Sequence, residues 1–256
     1  MATEPYSSRA LIPGRLYVSM QPVTDMRIDR LRQPPTASAG RQVYRALREA
    51  IVASDLAPGQ RISENELAER LAVSRTPIRE ALIRLRDERF VQIVPQLGTF
   101  VTPISVAAVE DAQFIRESLE CAAVRIAAVE SDAADLAALD GLVRRQAEVS
   151  ERGDHARFAV LDDEFHAAIC QLAGRPVAWE VAERVKGHLN RVRRLSLPQP
   201  RYLEEMVAEH RQVLEALEQG DPDAAETALR HHLRMVLSAL PAIRAQHPDY
   251  FEEERG

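Results

Sequence analysis

At 256 residues, 46% hydrophobic and 28% charged, the chain can bury a core and has room for two modest domains. Its ten glycines and fifteen prolines exclude a collagenous or low-complexity chain, and no apolar run approaches the roughly 18–20 residues of a membrane span. The net charge of −6, from 33 basic and 39 acidic side chains, argues against a nucleic-acid partner when taken whole.

Residues 1–40 contain Pro5, Pro13, Pro22, Pro34 and Pro35, end in TASAG and carry no sustained amphipathic period. They are expected to form a flexible leader, with a start near Met26 as an alternative reading of the frame. The first residues lack the charged start, apolar stretch and small-residue cleavage site of a secretory signal. Cys121 and Cys170 are the only cysteines, so reduced thiols and a cytoplasmic location are expected.

Residues 41–103 read as a small domain. In RQVYRALREAIVAS the residues Val43, Ala46, Leu47, Ala50 and Ile51 recur at three- and four-residue spacing, which predicts an amphipathic helix. Pro58 and Gly59 stop it. A second helix opens at Ser63, where SENE has capping-box spacing, and breaks near Val73. A third starts around Ser74 to Pro77 and runs through IREALIRLRDER, with proline tolerated because first-turn amides have no intrahelical partner. FVQIVPQLGTFVTP then reads as a hairpin turning at Gly98. Three helices and a hairpin in this order suggest a winged helix-turn-helix, with the third helix entering the major groove; pattern alone also fits a small α+β domain with no nucleic-acid role.

From residue 104 to 245 every long segment has helical period, and proline and glycine sit at the boundaries. Six helices are expected, at 106–129, 132–151, 154–173, 176–195, 200–219 and 221–240, forming an antiparallel all-α bundle. Residues 246–256 are left as a C-terminal tail. The fold class is therefore mainly α, a winged helix-turn-helix domain followed by a helical bundle. Divided this way, the charge changes its meaning. Residues 41–103 hold ten arginines against eight acids, whereas residues 104–256 hold 18 basic and 28 acidic side chains.

Arg75, Thr76 and Arg79 sit on or beside the first turn of the third helix, where open amides and the helix dipole attract phosphate. An arginine fork also matches the O6/N7 edge of guanine. Arg84 and Arg86 are ambiguous between this role and a solvated face. In the bundle, Asp162 and His166 are four apart and project from one helix face. His210 and His232 each lie in another amphipathic helix. A carboxylate and three imidazoles facing one cavity could hold a first-row transition metal, although buried histidines also serve as hydrogen-bonded core residues.

The string ISENELAERLAVSRTPIREALIRLRDERFVQIVPQLGTFV resembles the DNA-binding domain of the GntR family of bacterial transcription regulators. That resemblance implies operator contacts from Ser74, Arg75, Thr76 and Arg79, with Gly98 at the wing tip. Asn65 stands where some relatives carry a DNA-contacting arginine, and Leu97 replaces the arginine often found before the wing glycine. IRESLE, DDEFH, AEHRQVLEALEQGD and RHHL are similar to the FCD effector-binding domain of the FadR-like branch. There the resemblance implies a metal held by Asp162, His166, His210 and His232, with His231 as the register alternative to His232 and Asp163 or Glu164 as weaker substitutes for Asp162. Arg175 departs from the asparagine usual before that proline.

The expected cofactor is one divalent transition metal per chain, zinc first, with nickel, iron or manganese as alternatives. Open coordination positions would admit the carboxylate of a small organic acid. Arg116 is the first candidate to balance that charge by the family pattern, its alternative being an ion pair with Glu120. Asn190, Arg191 and Arg194 on one helix are second-rank pocket candidates, with a solvated face as the alternative. Three functions compete: a homodimeric, ligand-responsive regulator reading a palindromic operator, a metal-dependent enzyme, and a constitutive DNA-binding protein with a structural bundle. The retained Asp–His–His–His set and the recognition helix favour the first. The expected protein is a repressor released by its effector through a hinge at 101–107, with no membrane partner and no catalysis.

Overall fold

A computed structural model describes residues 9–12, 16–19, 39–199 and 201–253. Met26 lies outside the described residues, as does most of the expected leader. Within that leader the backbone of β1 (Arg9–Ile12) pairs antiparallel with β2 (Leu16–Ser19). The signal for this pair was a Pro13-Gly14 dipeptide between two short apolar runs, too brief to stand out by periodicity.

The chain divides into two units, one formed by residues 1–106 with 247–256, the other by residues 107–246. In the first, α1 (Ala39–Val52) buries Val43, Leu47, Ala50 and Ile51 along one stripe. Helix α2 (Glu64–Leu71) is capped by Ser63, whose side chain accepts from the Glu66 amide at 3.3 Å. It ends at Ala72, held left-handed at φ 53°, whose N–H donates back to the Ala68 and Glu69 carbonyls. Three residues later α3 (Arg75–Asp87) begins, with Pro77 in its first turn. Ile78, Leu82 and Leu85 of α3 pack with Val43, Leu47, Ile51, Leu67 and Phe90 in one core. Each such side chain contributes roughly 1.5–3 kcal/mol on burial.

The expected hairpin forms from β4 (Val91–Val94) and β5 (Gly98–Val101), in register from Val91–Val101 to Val94–Gly98. A third strand, β3 (Arg61–Ile62), pairs with the other side of β5. Two residues are too short to announce a strand by alternation. The turn itself is Pro95–Leu97 with Gln96 at φ 65°, so Gly98 opens β5 instead of sitting at the tip. Gly98 has φ +126°, and a β-carbon there would lie 3.0 Å from Arg61 Nε. Glycine is required by backbone and space together.

The residues expected as a tail belong to this unit too. After a 3-10 turn at Pro248–Tyr250, the Ile104 amide donates to the Tyr250 carbonyl at 2.7 Å and the Glu252 amide to the Ile104 carbonyl at 3.0 Å. Phe251 bridges Ile104 in parallel, and both side chains are buried.

The second unit is helical: α4 (Val106–Glu130), α5 (Ala133–Glu151), α6 (His155–Leu172), α7 (Pro176–Val185), α8 (Gly187–Ser196), α9 (Tyr202–Glu218) and α10 (Pro222–Gln246). Asp132 caps α5 in a capping box with Asp135, and Asp154 accepts from the Arg157 amide to start α6. Two expectations need correction. The single helix at 176–195 is two, broken at Lys186 before the poor helix former Gly187. There the Lys186 ammonium is buried against Asp163 at 2.8 Å and Glu183 at 2.6 Å, over the Trp179 ring. The last helix does not stop at 240 but continues through Pro241 to Gln246. Burial of Leu240 and Ile243 on its inner face offsets the hydrogen bond that proline removes. The core joins α4, α5, α6, α9 and α10 through residues such as Val124, Val143, Phe165, Val213 and Leu229.

Candidate nucleic-acid interface and metal centre

The helix-turn-helix brings Ser74, Arg75, Thr76 and Arg79 together as exposed residues at the start of α3. The Ser74 side chain makes no capping bond, so α3 opens with its hydroxyl and first-turn amides facing outward. Asn65 is exposed on the first turn of α2. Both arginines converge on one acid. Arg75 Nη2 lies 3.0 Å and Arg79 Nε 2.8 Å from Glu64 Oε2. Burial would raise the Glu64 carboxyl, but the bonds and charges of Arg79 and Arg75 together outweigh that and hold it below its ordinary value. The two ambiguous arginines have structural partners: Arg84 stacks over Tyr44 at 4.1 Å, and Arg86 pairs with Asp87 at 2.8 Å. On the hairpin, Arg61 packs against Gly98 from the neighbouring strand. That guanidinium was invisible to a search for arginine beside the glycine in sequence.

In the bundle, Asp162 and His166 from α6, His210 from α9 and His232 from α10 are buried and offer one ligand atom each, all within 4.8 Å of one another. His210 Nε2 lies 3.1 Å from His232 Nε2, which lies 3.2 Å from His166 Nε2. Asp162 Oδ1 is 3.6 Å from His210 Nε2, and Oδ2 is 3.8 Å from His166 Nε2. His231 is exposed and Asp163 faces Lys186 and Arg193, so neither enters the cluster. Glu164 faces Arg145 and Arg157.

The outer ring nitrogens explain why this set exists. His210 Nδ1 lies 2.7 Å from Gln146 Oε1, while the Gln146 amide nitrogen donates to the Leu161 carbonyl at 3.0 Å. Gln146 therefore presents oxygen, and His210 Nδ1 must be the donor. His232 Nδ1 lies 2.8 Å from Glu209 Oε2, and His166 Nδ1 lies 2.7 Å from Glu120 Oε2. With a proton on each outer nitrogen, every neutral ring turns an Nε2 lone pair inward. Burial lowers the pKa of His166 and His210, and His232 lowers His210 further, so protonation does not readily relieve the crowding. Converging lone pairs with oriented outer nitrogens, plus a carboxylate, form a donor set suited to a divalent first-row ion.

Two arginines flank the set. Arg116 Nε donates to Glu120 Oε1 at 2.7 Å, so the ion-pair alternative for Arg116 is formed. Arg116 and Glu120 are both almost fully buried. Burial alone would raise Glu120, but Arg116 and the His166 ring hold its carboxyl below the usual range. Arg193 bonds Asp162 through Nη2 and Asp163 through Nη1 at 3.2 Å. Burial would likewise raise Asp162, and Arg193 with the histidines keeps it ionised. Arg193 was missed among the arginines of RVRRLS. Asn190 reaches the centre only through it, accepting from Arg193 Nη1 at 3.1 Å, while Arg194 donates to the His155 carbonyl. Arg116, Asp162, His166, Arg193, Tyr202 and Met206 line a cavity of about 10 Å³, the smallest space that holds one water or ion.

Comparison with known proteins identifies both domains. The gntR family of bacterial regulatory proteins matches residues 39–101, and the FCD domain matches residues 111–235. An HTH-type transcriptional regulator in an unstable DNA locus of Streptomyces ambofaciens is 41% identical over 212 residues, 82% of this chain and 89% of that protein. The HTH-type transcriptional repressor RspR of Escherichia coli is 37% identical over 220 residues, 86% of this chain and 96% of its own. Among solved structures, E. coli McbR/YncC aligns with a TM-score of 0.69 at 25% identity, over 83% of this chain and 100% of that one. These relatives are regulators, not enzymes, and among the described residues no helix is long and apolar enough to cross a membrane. The chain belongs to the GntR family of transcription regulators, with a helix-turn-helix head for operator DNA and an FCD domain for a small-molecule effector.

Proposed function

We propose that this regulator is a cytoplasmic homodimeric repressor of a palindromic operator, released by a small organic acid that binds beside a divalent metal in the bundle. The observation that carries the reading is the convergence of three Nε2 atoms beside Asp162, with an oxygen 2.7 or 2.8 Å from each histidine's outer nitrogen. Asp162, His166, His210 and His232 would hold the ion, with zinc the first candidate and nickel, iron and manganese compatible with the same donors. Such an ion supplies a Lewis-acidic anchor for a carboxylate. Arg116 and Arg193 line the same cavity, and each guanidinium has donors beyond those given to Glu120 and Asp162. They complete the charge balance of an incoming acid, with Asn190 fixing Arg193; Arg194 has no part in this reading.

The small cavity supports a conformational response to the effector. An organic acid is larger than the space, so its entry must displace lining residues, of which Met206 and Met235 are the most adaptable. Binding then favours a bundle conformation different from the compact one, as any ligand-driven shift requires. The linker at 101–107 carries the change toward the head. In the head, Ser74, Arg75, Thr76 and Arg79 read the operator, with Asn65 and Gly98 at its margins. Two heads related by two-fold symmetry would meet two half-sites of a palindrome.

Elemental analysis of untagged protein is expected to find about one equivalent of divalent metal per chain, lost in His166→Ala. A thermal-shift screen of the metal-loaded protein against small carboxylic acids then identifies the effector by its stabilisation of the native state. Metal-free wild-type protein, with His166→Ala still folded, would return the histidines to a structural role.

A further inference from the structure

We infer that Glu64 is a specificity-determining residue of the DNA-reading head, one that holds Arg75 and Arg79 as a preset pair favouring neutral base-edge acceptors over phosphate. The inference rests on the assignment of Arg75 and Arg79 to the DNA interface.

Geometry comes first. A single oxygen, Glu64 Oε2, takes Arg75 through Nη2 at 3.0 Å and Nε at 3.4 Å, and Arg79 through Nε at 2.8 Å. Glu64 is the first residue of α2, where the helix dipole favours a negative charge. Arg75 and Arg79 are one turn apart at the start of α3, and their side chains remain 54% and 57% exposed. The acid thus draws both guanidiniums together across the helix-turn-helix while leaving them open to a duplex. Arg75 keeps Nη1, and Arg79 keeps both terminal nitrogens, outside the bonds to Glu64.

The consequence is selective. Guanine offers O6 and N7, which are uncharged acceptors. An arginine already paired with a carboxylate donates to them with its remaining N–H groups, and the carboxylate pays little repulsion. A phosphate is an anion, and beside Glu64 it meets a cluster of net charge +1 instead of two separate cations. Random DNA is bound almost entirely through phosphates. Glu64 therefore subtracts from non-specific binding more than from operator binding. It also limits rotamer freedom in two long side chains before DNA arrives, which reduces the ordering cost of the specific contact.

The test uses full-length, metal-loaded protein and two probes: a 20-base-pair duplex of random sequence, and an operator duplex selected from a random pool by the wild type. Affinities are read by fluorescence anisotropy across a salt series. In Glu64→Gln, affinity for the random duplex should rise about fivefold, with a log–log salt slope steeper by about 0.9, the value of one more phosphate contact. Operator affinity should change less than about twofold, so the specificity ratio falls. Glu64→Asp, which keeps the charge, should restore the ratio at least in part. Random-duplex affinity and slope equal to wild type would overturn the inference, and so would equal losses on both duplexes with an unchanged melting temperature. In an Arg75→Ala Arg79→Ala background Glu64→Gln should leave the operator-to-random ratio unchanged; a ratio that still falls there also overturns the inference. That double variant separates the two readings. If it binds operator as wild type does, the interface assignment fails; if it is weakened while Glu64→Gln behaves as wild type, only the role of Glu64 fails.

Discussion

Both units set arginines against carboxylates, and the surroundings give the same pairing opposite uses. In the head, Glu64 faces Arg75 and Arg79 at the surface, with more than half of each arginine side chain exposed. Exposed pairs of this kind are worth about 0–1 kcal/mol and exchange partners easily. In the bundle, Arg116 and Glu120 are 3% and 1% exposed, and Arg193 closes on a fully buried Asp162. There an ion cannot turn to water when its partner is removed. The surface cluster is fit to trade one acceptor for another when a duplex arrives. The buried one is fit to hold three imidazoles and a carboxylate in a fixed orientation.

The largest effect should come from breaking the buried side of this comparison. Glu120→Ala leaves Arg116 unpaired and removes the partner of His166 Nδ1, which should cost about 3–5 kcal/mol in denaturant unfolding. A loss under about 1 kcal/mol would place Arg116 in contact with water after all. Acid sharpens the same point. The Glu120 carboxyl is held below its ordinary value in the folded chain, so its contribution is complete at neutral pH. The contribution begins to disappear as pH falls below about 4.3, the ordinary value of the unfolded carboxyl. Glu120→Gln should therefore lose stability less steeply on acidification than the wild type does.

Next in size is the surface pair read by function. Arg75→Ala and Arg79→Ala should each weaken operator binding by about 1–3 kcal/mol, with metal content and unfolding midpoint unchanged. Equal losses of stability and affinity would move these residues from the interface to the scaffold. A smaller effect is expected from Gln146→Leu, which removes the acceptor that orients His210. Metal affinity should fall about 10–100-fold in competition with a chelator, while DNA binding by the loaded protein persists. Smallest of all should be Arg86→Ala. Its partner is the adjacent, exposed Asp87, and the loss of stability should stay within about 0.5 kcal/mol.

The parts of the fold legible in sequence were those with local causes. The stripe of α1, the Ser63 cap, the Pro77 start of α3 and the hairpin each depend on residues within a turn or two of one another. Asp162 and His166 were legible for the same reason, and His210 and His232 from their helical context together with the family resemblance. What escaped needed partners distant in the chain. Gln146, Glu209 and Glu120 orient the three rings from α5, α9 and α4, each on a different helix from the histidine it faces. Arg193 could not be chosen among its neighbours without knowing which way α8 turns after the Lys186 break. Glu64 drew no reading of its own from the sequence, because its partners lie on the following helix. The break itself came from tertiary ion pairs overriding a continuous helical pattern, and β3 from pairing that compensates for a strand too short to be recognised.

The Ile104–Phe251 bridge has a consequence for how the protein is made. The unit that contains the head is assembled from both ends of the chain, which makes the helical bundle an insertion and not an appendage. During synthesis α1 to β5 can collapse early, since their contacts lie within a short stretch of sequence. The bonds between Ile104 and residues 250–252 cannot close until the whole intervening bundle has been synthesised. A nascent chain can thus hold a finished reading head beside an unfinished linker, and the segment that follows the bundle ties the two together.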